Sequence, residues 1–157
     1  TAACVTNLAA DHYGEYGVHD LRSLGEAKLV VARAVGPAGR LVLNADDATL
    51  VALAAGVRAP IAWTTLHDGH PLVAAHVAAG GDAAVLRDGV LALRVAGAWH
   101  DVLDAAAIPA TLGGAARHNV ANALCAAMLA ATMGAPLAAI RVGLAGFGAA
   151  PGDNPGR

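Results

Sequence analysis

Near the start of the chain an amide, Asn7, is followed by a carboxylate and an imidazole side by side, Asp11 and His12, and then by Gly14 and Gly17, where the backbone is free to turn. The apolar run Ala2 to Val5 just before them suits a buried strand and breaks into polar residues at Thr6-Asn7. Open α/β sheets place their chemistry at such strand ends, so this is a site-like loop. Downstream, positions 21, 24, 28, 31 and 35 step by three and four, and Lys28 occupies the one that would otherwise be Leu or Val. An amine on an apolar stripe either snorkels to its edge or needs a partner or a shifted pKa. With Asp11 and His12 upstream, the reading favoured is a lysine facing phosphate, metal or an acid.

Two further groups have the types for a binding site. Asn44-Ala45-Asp46-Asp47 ends an apolar run; its carboxylates can cap the next helix, or one of them can touch a ribose or a metal shell. His118, Asn119 and Asn122 cluster at the start of a late helix. One asparagine there is an ordinary cap. A second, three residues on, lies on the same side, and its amide can read an adenine edge by donating and accepting at once.

These residues need a frame, and the periodicity supplies one. Asp20 can cap a long helix carrying Leu21, Leu24, Val31 and Val35. After the turn Gly36-Pro37-Ala38-Gly39, segments 40–44 and 60–64 read as buried strands around a helix from Ala48 to about Ala55. Strand, helix, strand, helix, strand at short intervals predicts a mostly parallel sheet flanked by helices over residues 1–66. His67, His70 and His76 read as loop histidines, with a short helix from Leu72 to Ala79. Segments 83–87 and 90–95 flank Asp88-Gly89, a strong two-residue hairpin signal, and Trp99 to Leu103 adds a third strand. The result is a small antiparallel β patch at about 82–103, suited to coverage or contact. Residues 115–148 read as helical, first with a stripe of Val120, Leu124, Ala127 or Met128, and Ala131. Gly134 and Pro136 then separate a final helix on Leu137, Ile140, Leu144 and Phe147, which Gly148 stops.

Composition narrows the classes. The 157 residues make one domain's worth of chain, and the 57% hydrophobic fraction is carried by Ala, Val and Leu, with aromatics only 3%, so the core is filled by small aliphatic groups. Charges, Gly, Pro and His interrupt every apolar run before the roughly 20 residues a membrane helix needs. No signal peptide is visible, so the sequence reads as cytoplasmic. A formal charge of −2 without a basic cluster argues against nucleic acid. Cys4 and Cys125 show no metal-ligand spacing and read as buried thiols. The opening residues read as the inside of a strand and the closing ones end without a finishing element, so the sequence reads as a piece of a longer chain.

Taken together, Thr6-Asn-Leu-Ala-Ala-Asp-His12, Lys28, Asn44-Ala-Asp-Asp47, His118-Asn-Val-Ala-Asn122-Ala and Asn154-Pro-Gly-Arg157 resemble, in order and spacing, the central ATP-binding domain of the Mur ligase superfamily. Asp11-His-Tyr-Gly-Glu-Tyr-Gly17 and the segment His76 to Gly89 look most like the cyanophycin synthetase branch. The resemblance covers nearly the whole chain and implies a P-loop-type α/β fold whose N-terminal part is missing. It also implies an ATP-dependent carbon–nitrogen ligase: ATP phosphorylates a carboxylate, and an amine attacks the acyl phosphate. In this branch the amine is that of arginine and the carboxylate an aspartate side chain on an acidic polymer.

By position, the resemblance makes His12 a Mg2+ ligand near the transferred phosphoryl group and Lys28 a catalytic lysine, a second metal ligand if carbamylated. Asn122 and Asn119 fall at the adenine, Arg157 in the nucleotide site, and Asn7, Asp11 and Asp46 one step behind the ligand. The departures are equally specific. The phosphate loop Gly-x-x-x-x-Gly-Lys-[Ser/Thr] and the family's magnesium-binding glutamate are missing and would lie before Thr1, and the amino-acid-binding domain would follow Arg157. The chain alone is therefore expected to hold about half an active site and not to turn over without the remainder of its own chain. Rival readings are a peptidoglycan-precursor or folylpolyglutamate ligase, and a non-catalytic interaction module. The residues do not decide oligomeric state, and a homo-oligomer stays open.

Overall fold

The structure, a computed structural model, describes residues 1–9 and 19–149. Asp11, His12, Gly14, Gly17 and Arg157, and the motif 154–157, lie outside the described residues.

Six strands form one sheet in sequence order: β1 (Ala3–Val5), β2 (Leu41–Asn44), β3 (Ile61–Thr65), β4 (Ala83–Arg87), β5 (Val90–Val95) and β6 (Ala98–Asp104). The first four run parallel, and β5 and β6 add antiparallel, so the expected antiparallel patch is the continuation of the parallel sheet through β4. Between the strands lie α1 (Leu21–Lys28), α2 (Ala48–Ala54) and α3 (Pro71–Ala78), and after them α4 (Arg117–Thr132) and α5 (Leu137–Gly146).

Alternation along each strand sends side chains to two cores. Val42, Ala62 and Ala84 pack with Val120, Leu124 and Met128 of α4, with Cys4 beside them. Val5, Leu41, Leu43, Trp63 and Val85 pack on the other face with Leu50 of α2 and Val73 of α3. The stripe expected for α4 is buried as read through Met128, while Ala131 is only half-buried. At the far edge Arg141 of α5 donates to the carbonyls of Val102 at 2.5 Å and Asp101 at 3.0 Å, giving two β6 carbonyls a donor.

Four expectations change. The long first helix is α-helical only to Lys28 and continues as a 3₁₀ turn, Leu29–Ala34. A 3₁₀ segment brings every third residue to one side, so Leu29, Ala32 and Val35 pack inward while Val31 is 43% exposed. No asparagine caps α4: its cap position is Ala116, without a side-chain bond, and Asn119 is used elsewhere. His76 sits within α3 and His70 at its cap position, so of the three loop histidines only His67 is in the β3–α3 loop proper. The half-buried ring of His76 lies against Gly81, where a Cβ would come within 2.1 Å of Nε2, and burial pushes the His76 pKa down. Phe147 follows the last turn of α5 and is 57% exposed.

Candidate functional site

The exits of β1, β2 and β3 are drawn together by side chains from distant positions. Asp47 caps α2, its Oδ1 accepting from the N–H groups of Thr49 and Leu50 at 3.0 Å each. Its other oxygen accepts from the Leu8 N–H at 2.7 Å, which fastens the exit of β1 to the start of α2. Asp46 turns the other way. It accepts from Thr65 Oγ1 at 2.6 Å and from the Leu66 N–H at 2.8 Å, so both its oxygens hold the exit of β3. Asn44 Oδ1 accepts from the Asp46 N–H at 3.0 Å, shaping the turn between them. Of the two aspartates, then, Asp47 is the helix cap and Asp46 a strand-to-strand tie.

Lys28 reaches the same end. Asp20 and Ser23 cap α1 reciprocally, and the backbone and hydroxyl donors of Ser23 hold the Asp20 carboxyl below the usual range. Eight residues further on, half-buried Lys28 donates from Nζ to the Asn7 carbonyl at 3.4 Å. Asn7 itself is exposed, and its Oδ1 accepts from Thr6 Oγ1 at 3.2 Å. Gly25, one turn before Lys28, is buried against Leu8 and Leu53; a Cβ there would lie 2.8 and 2.4 Å from their Cδ1 atoms. Asn7 and Leu8 are thus gripped by an ammonium, a carboxylate and a glycine contact.

The asparagines of α4 approach from the other face of the sheet. Cys125, midway along α4, lies 3.3 Å from Thr64 Oγ1 near the end of β3, and Met128, Ala131 and Thr132 border a cleft with Arg40 and Asp82, which precede β2 and β4. The helix therefore runs against the parallel strands, and its N-terminal turns reach the end where those strands exit. There Asn119 donates from Nδ2 to the Ala110 carbonyl at 2.6 Å, holding the chain that leads into the helix. Asn122 is exposed and borders, with Asn119, a cavity of about 570 Å³ between α4 and α5. Its walls are largely alanine, with Ile108, Ile140, Leu144 and Phe147 completing them.

The structure therefore brings Asn7, Lys28, Asp46 and Asp47 together at one sheet end, and Asn119 with Asn122 at a separate cavity between α4 and α5. Among the described residues no hydrogen bond joins the two groups. Nor do three or more His, Cys, Asp or Glu side chains gather among them as a metal site would require. The two cysteines meet across the α4 face: hydrogen bonding to Cys125 and burial push the Cys4 thiol up, so it stays protonated. The clamp on Leu8 escaped sequence reasoning, because an apolar residue's backbone N–H leaves no trace in the pattern.

The chain matches the family described as "Mur ligase middle domain" over residues 1–130. It is 41% identical over 154 residues to the cyanophycin synthetase of Trichormus variabilis, covering 98% of this chain and 17% of that protein. Against the cyanophycin synthetase of Synechocystis sp. the identity is 36% over 154 residues, covering 98% and 18%. A UDP-N-acetylmuramoylalanine–D-glutamate ligase of Myxococcus xanthus is 34% identical over 149 residues, covering 95% of this chain and 30% of that protein. The chain thus spans less than a third of the length of these curated relatives. A mostly parallel six-stranded sheet, helices on both faces, and the Asn44-Ala-Asp-Asp47 and His118-Asn-Val-Ala-Asn122 segments at one end agree with that match, and the chain belongs to the Mur ligase family as its middle domain.

Proposed function

We propose that this chain is the nucleotide-binding part of an ATP-dependent amide ligase that works through an acyl phosphate and adds arginine to aspartate side chains of a cyanophycin-type polymer. The observation that carries the nucleotide reading is the cavity beside Asn122. Its volume, about 570 Å³, lies within the range of small-ligand pockets, and its aliphatic walls suit a flat base. Asn122 supplies the polar edge such a base requires, since one amide can accept from an exocyclic amine and donate to a ring nitrogen. Asn119, bonded to Ala110, supports the entry to the helix behind it.

Lys28 is the group proposed for chemistry. As an ammonium it is a donor and a charge, suited to a phosphate oxygen, with a carbonyl holding its head at the sheet end. Carbamylation would convert it to an anionic metal ligand. As it stands, Lys28 does not fit a magnesium site, and Asp46 and Asp47 are committed to protein donors, so no step is routed through the metal here. When bound, magnesium neutralises charge developing on the transferred phosphoryl group; by the family resemblance His12 holds it and Arg157 joins the nucleotide site. The identities to cyanophycin synthetases support arginine and an aspartate polymer as substrates.

The test is the full-length protein supplied with ATP, arginine and an aspartate polymer labelled with 18O in its carboxylates. Transfer of label to released phosphate is expected, because an acyl phosphate leaves its bridging oxygen on phosphate. Phosphate release only with glutamate and a nucleotide-linked acceptor would replace this reading with the second one, which the Myxococcus relative favours. No ATP-dependent release with any amine would reject both.

A further inference from the structure

We propose that Phe147 is the stacking wall of the base pocket: its ring covers one face of the base whose edge Asn122 reads. The inference deepens the nucleotide reading above and rests on it.

Leu137, Ile140 and Leu144 of α5 pack inward on the core under α4, and a helix one turn longer would carry Phe147 in with them. Instead α5 ends at Gly146. Phe147 is extended, at φ −72° and ψ 123°, and its N–H donates to the Gly143 carbonyl at 3.1 Å. The chain's only phenylalanine is therefore 57% exposed, at the border of the cavity that Asn122 also borders. The next residue fixes it there. Gly148 takes φ 82°, the left-handed conformation that ends many helices, and a Cβ on it would lie 3.3 Å from both the N and the Cβ of Ala110. Angle and space both favour glycine, since the backbone of Ala110 cannot swing aside as a long side chain would. Ala110 is also the residue whose carbonyl accepts the Asn119 amide at 2.6 Å. One residue thus joins the end of α5 to the first turns of α4, and the ring and the two amides come to the same cavity.

A flat base offers two kinds of contact, a π-face and a polar edge. Asn122 suits the edge. The other walls are aliphatic, largely alanine, so among the described residues Phe147 alone brings an aromatic face to this cavity. Its exposed ring is apolar surface that an entering base removes from water, and stacking adds to that burial.

The test uses arginine-dependent phosphate release by the full-length protein. Phe147→Leu keeps an apolar side chain and removes the ring. KM for ATP should rise about fivefold or more, while kcat stays within about twofold, because the lost contact is made equally in the ground and transition states. Inhibition by tripolyphosphate, which has no base, should be unchanged. Phe147→Trp should keep the wild-type KM, and the emission of the added indole should be quenched by ATP and not by tripolyphosphate. An unchanged KM in Phe147→Leu would overturn the proposal. So would an equal loss of tripolyphosphate affinity, which marks a site disturbed as a whole, or an indole in Phe147→Trp that ATP does not quench. Failure of the nucleotide reading looks different: wild-type protein that releases no phosphate, with no response of Phe147→Trp to ATP, removes both.

Discussion

In the antiparallel half of the sheet the chain reverses by local means. Asp88 and Gly89 both take positive φ, 47° and 83°, and Ala96 and Gly97 do the same at 51° and 85°, the left-handed pairs that match the twist of adjoining strands. In the parallel half, where β1, β2 and β3 exit, the turns are held by atoms far apart in sequence: Asp47 to Leu8, Asp46 to Thr65 and Leu66, Lys28 to Asn7. A two-residue turn carries its geometry with it. A carboxylate bridging two strand exits has one only after the sheet has formed, and it can then bring groups from different elements to one place. The candidate groups Asn7, Lys28 and Asp46 all lie at these long-range ties.

Breaking that contrast should cost most at the long-range ties. Asp46→Ala strands the Thr65 hydroxyl and the Leu66 N–H at the exit of β3, and should destabilise by about 2–3 kcal/mol in urea melts. Gly25→Ala is expected to cost about 1–3 kcal/mol by pressing on Leu8 and Leu53. The second substitution Leu8→Ala should recover part of that loss, and a double-mutant cycle measures the coupling. Asn122→Ala should leave the melt within about 0.5 kcal/mol, since Asn122 is an exposed surface position, yet raise KM for ATP about tenfold, which steady-state kinetics of the full-length protein would show.

The antiparallel half should respond more gently. Ala96→Asn replaces a strained left-handed alanine with a residue that accepts this conformation, and should stabilise by about 0.5–1 kcal/mol. The smallest effect is that of pH at His76, in α3 of the parallel half. Burial lowers its pKa from the ordinary 6.5, so between the two values the unfolded chain binds more protons. Its contribution is full above pH 6.5 and disappears as the pH falls through the folded value. Thermal melts from pH 8 to 5 should show a shallower acid slope in His76→Gln than in the wild type.

Strand positions, the parallel order of the first three strands and the Asp88-Gly89 hairpin were all legible, because each depends on alternation or on a two-residue turn signal. The burial of Val120, Leu124 and Met128 followed from helical spacing in the same way. What misled was a change of period: Val31 belongs to a stripe only if the helix stays α, and the 3₁₀ turn after Lys28 rotates it outward. The absent asparagine cap has a different cause: the helix starts at Arg117, so Asn119 lies within its first turn and Ala116 takes the cap position, while the Asn119 amide donates to the Ala110 carbonyl. Of the candidate site, residue types and their order were readable. Which oxygen of Asp46 or Asp47 served which strand was not.

The residues by themselves determined the alternation that makes a two-sided sheet, the punctuation between elements and the family to which the chain belongs, since these are properties of neighbours a few positions apart. Only the tertiary structure decided that Asp47 reaches back to Leu8, that Lys28 touches Asn7 and that Asn122 borders a cavity. Hydrogen bonds to backbone groups carry no signature of side-chain type at the acceptor's partner, and which carboxylate meets which N–H depends on strand order and register, set by packing over the whole sheet.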